Sequence, residues 1–380
     1  MNADVAIVGG GPSGLALAIE TARRGLRTLV LERHTLPRDK ACGEGLMPAG
    51  LRVLEGLGVR ALLSPADCAV IEGIRYLQED GTQVEGRLPH GGGLGIRRIA
   101  LSEALARRAR EEGATLLERC AVSGLSRDGE GVTLGTARGE ARAKVVIAAD
   151  GLHSPLRAAM GLEVPGPARG QRRYGLRRHF RLRPWTDFVE VHYADGVEAY
   201  VTPAGAQRVG IAFLWDDGRL DGRIGFETLL ARFPVLAERL QGAPFDSETR
   251  GAGPLEHGVR ARTLERFALL GDAAGYVDAI TGEGLSLGFV AARELGRLLP
   301  EALAQGATLA SLRPYERLCA REFRRYEWLT RAVLGVARRP RLRRHALRVL
   351  ARSPGLFSLS LGLLMGGESA RPALAPGASG

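Results

Sequence analysis

The chain has 380 residues, 45% of them apolar, and a formal charge of +11. That length is too great for one small domain and points to two or three domains, or one core carrying a large insertion. No stretch approaches the ~18 uninterrupted apolar residues of a membrane-spanning helix. The four cysteines (Cys42, Cys68, Cys120, Cys319) form neither a CxxC pair nor a His/Cys cluster of metal spacing, so no structural metal is expected. The positive charge is nearly all arginine, since Lys40 and Lys144 are the lysines. Spread as it is, it reads as base composition, and no nucleic-acid partner is expected.

Met1 to Asp4 lead into the apolar run Val5–Val8 without a basic leader, so no secretory signal is expected and the location is read as cytoplasmic. A glycine turn, Gly9 to Gly14, follows. Leu15, Leu17, Ala18, Ile19 and Ala22 then recur at helical spacing up to Gly25. Residues 27–31 form a second apolar strand. The unit is strand, glycine turn, helix, strand, which opens a parallel sheet. A helix is expected over 48–63, strands over 69–78 and 82–88, and an amphipathic helix over 98–112. A hairpin is expected around Asp128-Gly129, and a buried strand over 145–149. Residues 171–215 alternate apolar and polar, with turns at Asp195-Gly196 and Ala204-Gly205, and read as an inserted antiparallel sheet. A helix over 226–240 crosses it. Residues 267–299 return to strand, glycine loop and helix. Residues 311–365 read as helical, and 371–380 as a frayed tail.

Gly9-x-Gly11-x-x-Gly14 carries weight because it directly follows a strand and opens a helix. Gly9 permits the tight turn, Gly11 lets the backbone approach a pyrophosphate, and Gly14 lets helix and strand pack closely. The helix N-terminus presents free N–H groups to phosphate. Glu32 ends the second strand, 18 residues beyond Gly14, where a carboxylate hydrogen-bonds a ribose diol. These features indicate a dinucleotide without separating NAD from FAD.

Three later segments stand out: the helix led by Arg98, then Asp150-Gly151-Leu152-His153-Ser154-Pro155-Leu156-Arg157, then Gly271-Asp272-Ala273-Ala274. They resemble, in order, motifs of the FAD-dependent aromatic hydroxylases of the para-hydroxybenzoate hydroxylase-like superfamily, and the resemblance spans roughly residues 1 to 300. The geranylgeranyl reductase-like branch is resembled by Pro37-Arg38-Asp39-Lys40-Ala41-Cys42-Gly43, by Ala274 through Gly284, and by Tyr200-Val201-Thr202-Pro203. Thr202 stands where that branch has an aromatic residue, and Ala279 where it has proline. The WxWxIP motif of flavin-dependent halogenases is absent, so halogenation is not expected.

The resemblance implies an α/β fold: a discontinuous Rossmann-type FAD domain (1–75, 97–165, 255–310), an inserted antiparallel β-sheet substrate domain (76–96, 166–254), and C-terminal helices with a tail (311–380). The expected cofactor set is Gly9, Gly11, Pro12, Ser13, Gly14, Glu32, Arg33, Cys42, Arg98, Val122, Asp150, Asp272, Gly282, Gly284 and Leu285, with FAD as cofactor and NADH or NADPH as reductant. Tyr200 and Pro203 are expected in the substrate pocket. Cys42, His192 and Tyr193 are the candidates for catalysis, with His179 beside them as a further acid or base. For each, a solvated or merely packed position is the competing reading.

The expected function is FAD-dependent hydroxylation of an apolar aromatic or polyketide-like small molecule. The alternatives are reduction of prenyl double bonds and flavin binding without turnover. The arginines between 338 and 352, set among Leu342, Leu347, Val349 and Leu350, read as a basic amphipathic helix. Such a helix suits an anionic membrane surface, a cavity cap, a dimer face or plain solvation.

Overall fold

The computed structural model describes residues 1–365 apart from 221 and 223, so the tail expected over 371–380 lies outside the described residues. Strand Asn2–Val8 lies at the centre of an eight-stranded sheet, flanked in parallel by Gly139–Ala148 and Thr28–Leu31. Phe267–Leu269 and Thr115–Leu117 extend it, also in parallel. The expected hairpin is Val122–Arg127 against Val132–Thr136, and it pairs onto Gly139–Ala148.

The central strand is apolar on both faces because both are covered. Val5 and Ile7 pack with Leu15, Leu105 and Phe289 from the helices Pro12–Ala22, Arg98–Glu111 and Gly284–Ala304. Ala6 and Val8 pack on the opposite face with Val132, Leu134 and Leu156. Each fully buried leucine or valine there contributes about 1.5–3 kcal/mol. That layering holds the glycine turn rigidly at the C-terminal edge of the sheet.

The inserted sheet has seven strands, in the order Arg250–Ala252, Arg173–Phe180, Val209–Asp216, Val197–Pro203, Phe188–Ala194, Gly73–Leu77 and Gln83–Arg87. It is antiparallel except where Gly73–Leu77 joins Phe188–Ala194 in parallel. The domain border expected at residue 75 therefore falls inside a strand of this sheet. A small third sheet joins Gly45–Leu46, Gly93–Ile96 and Cys68–Ile71.

Two expected helices are shorter than the sequence suggests. The one expected over 48–63 stops at Gly56, because Gly58 takes a left-handed φ of 69°, and a separate turn of 3-10 helix covers Arg60–Leu62. The one expected over 226–240 is two helices, Phe226–Leu230 and Pro234–Arg239. Pro234 has no N–H to continue the first and instead starts the second.

Three helices follow, Leu309–Ala337, Pro340–Ala351 and Pro354–Met365. Leu334, Leu347, Phe357 and Leu361 pack on the seven-stranded sheet beside Ile74, Val84 and Tyr193. Arg343 turns inward: it donates to Gln78 Oε1 at 2.9 Å and to Ala337 O at 3.0 Å, and its guanidinium lies over the Tyr193 ring. Among the described residues, no helix is long and apolar enough to cross a membrane.

Candidate functional site: a cleft between the two sheets

A cavity of about 380 Å³ runs from the glycine turn to the inner face of the seven-stranded sheet. The three glycines at its head play different parts. A Cβ on Gly9, whose φ is 111°, would meet Ala149 O at 2.4 Å, and one on Gly14 would meet Gly9 O at 2.1 Å. Gly11 has ordinary backbone (φ −73°), and nothing lies within 4 Å of where its Cβ would be. Gly9 and Gly14 serve the packing of the chain. Gly11 leaves space facing the cavity.

Glu32 is buried in the wall, where its carboxylate accepts from Gly10 N at 2.7 Å and His34 N at 2.9 Å. One oxygen thus ties the end of the second strand to the glycine turn, and Arg38 stands 3.7 Å from the other. Arg98 is the first residue of its helix. Its main-chain N–H donates to Glu44 Oε1, while its Nη1 is buried without a partner among the described residues. Asp150 presents a buried Oδ1 with no partner among the described residues, and burial raises its carboxyl above the usual range. Buried polar atoms are ordinarily satisfied, so two orphans in one cavity wall mark where a polar ligand belongs. Asp272, half-exposed, faces Lys40 at 3.6 Å. Anionic and hydroxylated ligand groups fit this set of donors and acceptors, and the glycine turn fits a pyrophosphate.

At the far end, Cys42 lies in the wall, and its Sγ accepts from Glu44 N at 3.4 Å. Tyr200 donates weakly to Ile280 O at 3.5 Å, and burial pushes its phenol well above the usual range, so it stays neutral. Thr281 Oγ1 is buried with no partner among the described residues. The helix Gly284–Ala304 begins here and directs its first N–H groups at this end.

Most of the expected residues converge. Gly9, Gly11, Pro12, Ser13, Glu32, Arg33, Cys42, Arg98, Val122, Asp150, Asp272, Gly282, Gly284, Leu285 and Tyr200 all line the cavity. Gly14 lies behind it, packed on Gly9. Pro203 is outside the lining, and Thr202 takes the place toward the cavity. His192 is turned away, with Nε2 at 3.3 Å from Glu190. Tyr193 is buried under Tyr76 and Arg343. His179 is buried against Glu44 and also lies outside the lining. Residues not singled out from sequence complete the wall: Ile74, Tyr76, Arg177, Val189, Val191 and Leu214. Alternation along each strand gave their parity. The pairing of strand Gly73–Leu77 with residues over a hundred positions later gave no local signal.

Residues 2–216 match the family model described as an FAD binding domain. The chain belongs to the FAD-dependent oxidoreductases. This flavoprotein is 30% identical over 336 residues to a menaquinone reductase of Mycobacterium tuberculosis, covering 82% of this chain and 79% of the relative. It is 29% identical to a digeranylgeranylglycerophospholipid reductase of Methanopyrus kandleri, over 85% of this chain and 88% of the relative. It is 30% identical to the 12-dehydrotetracycline 5-monooxygenase/anhydrotetracycline 6-monooxygenase of Streptomyces rimosus, over 84% of this chain and 65% of the relative. In fold it is similar to a flavoprotein/dehydrogenase of Cytophaga hutchinsonii, with a TM-score of 0.83 at 17% identity over 97% of this chain and 93% of that one. It is likewise similar to the halogenase PltM in complex with phloroglucinol and FAD, with a TM-score of 0.80 at 19% identity over 96% of this chain and 83% of that one. The α/β architecture with an antiparallel insert, expected from sequence, is the one this flavoprotein adopts.

Proposed function

We propose that this flavoprotein is an NAD(P)H-linked monooxygenase that hydroxylates an apolar aromatic or polyketide-like small molecule. The observation that carries the reading is the composition of the wall opposite the helix start at Gly284. Ile74, Val189, Val191, Leu214 and Leu255 make a dry face, interrupted by the neutral phenol of Tyr200. Bound in the cleft, FAD would accept hydride and, once reduced, activate oxygen.

This chain's residues supply the rest. The glycine turn, Glu32 and Arg98 would hold the dinucleotide end, and Asp150 and Asp272 the chain between phosphate and ring. The N–H groups of Gly282 to Leu285 would steady negative charge at the ring end. The apolar wall excludes water and orients an aromatic ring over the reacting face. The tetracycline monooxygenase of Streptomyces rimosus and the rifampicin monooxygenase of Streptomyces venezuelae favour this chemistry.

A second reading is saturation of a prenyl double bond. The reductase relatives are matched over 79% and 88% of their own length, more than the monooxygenases. Saturation needs a proton delivered to the second carbon, and Cys42 stands in the wall to deliver it. A cytoplasmic location, with peripheral membrane contact through the exposed Arg341, Leu342, Arg348 and Val349, accompanies either reading.

The deciding experiment reduces the purified yellow protein with NADPH and then admits ¹⁸O₂ with candidate aromatic or polyprenyl substrates. Hydroxylation predicts substrate-stimulated NAD(P)H oxidation and label in the product. Saturation of a polyprenyl substrate without oxygen would overturn it in favour of the reductase.

A further inference from the structure

One row of residues crosses five adjacent strands of the inserted sheet in register. Tyr76 pairs with Val191, Val191 with Tyr200, Tyr200 with Ala212, and Ala212 with Arg177. Partners in register share a face, and all five line the cavity. Four inter-strand steps of about 4.8 Å make the row about 19 Å long.

Its two ends differ in chemistry. At one end Arg177 is buried, held by Asp39 and by Lys40 O, with its Nε–H left without a partner among the described residues. At the other end Tyr76 closes the wall. Its ring stacks on Tyr193 at 5.9 Å and tilts against Phe357 at 5.5 Å. Neither Tyr193 nor Phe357 lines the cavity. Behind Tyr76 lies an apolar layer that includes Val84, Leu347 and Leu361 from the C-terminal helices and the edge strand.

We propose that the ligand is an amphiphile lying along this row, with an oxygen-bearing aromatic head accepting from Arg177 Nε–H and an aliphatic tail ending against Tyr76. Tyr76 is then the residue that sets tail length. The proposal rests on the reading above that an apolar aromatic ligand occupies the ring end of the cleft. The polar end matches a phenolic oxygen, because an unpaired buried donor favours the ligand that satisfies it. The opposite end offers hydrocarbon alone.

The test uses the oxidised holoprotein and a series of 4-n-alkylphenols of rising chain length, with the matching n-alkylbenzenes. Binding is read from perturbation of the flavin absorbance, so it does not depend on which reaction the protein catalyses. In the wild type, affinity rises about fourfold per methylene and then stops at a cutoff length. Tyr76→Leu moves the cutoff to longer chains and Tyr76→Trp to shorter ones, while Tyr76→Phe leaves it in place. Arg177→Gln removes the preference for phenol over benzene, about tenfold or more, without moving the cutoff. FAD content and the visible spectrum of each variant identify any that fail to fold. Because the Leu and Trp variants predict opposite shifts, either one suffices. A cutoff that stays fixed in folded Tyr76→Leu or Tyr76→Trp overturns the proposal, as does a phenol preference that survives Arg177→Gln. A labelled-oxygen result against hydroxylation, with these shifts intact, would remove the monooxygenase reading and leave the ligand axis standing.

Discussion

The Glu44 carboxylate and the His179 ring meet at 2.5 Å, with both side chains almost fully buried. The contact ties the loop after Pro37, which carries Lys40 and Cys42, to the inserted sheet 135 residues later. Burial alone would raise Glu44, but donation from His179, Arg97 and the Arg98 N–H holds it below the usual carboxylate range. Burial, with Arg97 and Arg177 close by, pushes His179 down. Arg177 and Ser247 both face its Nδ1, so the neutral ring carries its proton on Nε2, toward Glu44.

Both groups release protons more readily folded than unfolded, so the unfolded chain binds more protons in acid. His179 therefore contributes stability above about pH 6.5 that is lost as pH falls below it, and Glu44 adds a further loss below about pH 4.5. Going from pH 7 to pH 5, the urea midpoint of the wild type should drop relative to that of His179→Gln, since His34, His257 and Glu283, which also shift on folding, are common to both. Identical slopes for the two proteins would contradict the assignment. Glu44→Gln, which leaves Arg97 less compensated, should cost about 3 kcal/mol at neutral pH.

Gly11→Val should purify without FAD and melt near the wild-type apoprotein, because a Cβ there meets only open space. Gly14→Ala should instead lose stability, because its Cβ collides with Gly9 O. Cofactor content and thermal melting measured together separate the two effects. Full FAD occupancy in Gly11→Val would displace the pyrophosphate from this turn.

Arg98→Met should weaken FAD binding by roughly tenfold to a hundredfold, the worth of one hydrogen bond to a charged group. Its Nη1 has no partner to lose among the described residues. Fluorescence titration of the apoprotein gives the ratio, and an unchanged dissociation constant would show that Arg98 points elsewhere.

Arg173 is surrounded by Glu198 at 2.5 Å, Asp278 at 2.7 Å and Asp216 at 3.6 Å. Asp278 in turn accepts from Ile280 N at 2.9 Å, which fixes the loop at the ring end of the cavity. Arg173→Met should cost about 3–5 kcal/mol by leaving buried carboxylates uncompensated. Adding Glu198→Gln should recover part of that loss in denaturant titrations. A double variant no more stable than the single would show that the carboxylates do not repel.

Phe357→Ala should cost about 3–5 kcal/mol, since the ring is buried between Tyr76 and strand Gln83–Arg87. A loss below about 1 kcal/mol in denaturant titration would show that the C-terminal helix packs loosely on the sheet.

What the sequence made legible was local. The first strand-turn-helix-strand unit, the turns at Asp128-Gly129 and Asp195-Gly196, and the long helix from Arg98 each depend on contacts a few residues apart. Cavity residues within such motifs, such as Glu32 and Asp150, were therefore readable. Tyr76 and Arg177 were not, because their shared face is set by strand register across more than a hundred residues. Arg343 shows the same gap. In sequence it belongs to an arginine run that reads as solvated, but in the fold it is buried over Tyr193. Spacing gives a helix its faces. Which face meets a neighbour is decided by elements elsewhere in the chain.

The placement of Gly73–Leu77 beside Phe188–Ala194 has a consequence for how the molecule is made. The cleft draws its wall from segments between Val8 and Leu285, so no contiguous fragment owns it. On a ribosome, the glycine turn emerges early, while the face opposite it waits for most of the chain to follow. A non-local sheet of this kind closes slowly. Cofactor capture is therefore a late event in maturation, and until then the hairpin of Gly73–Leu77 and Gln83–Arg87 keeps one edge unpaired.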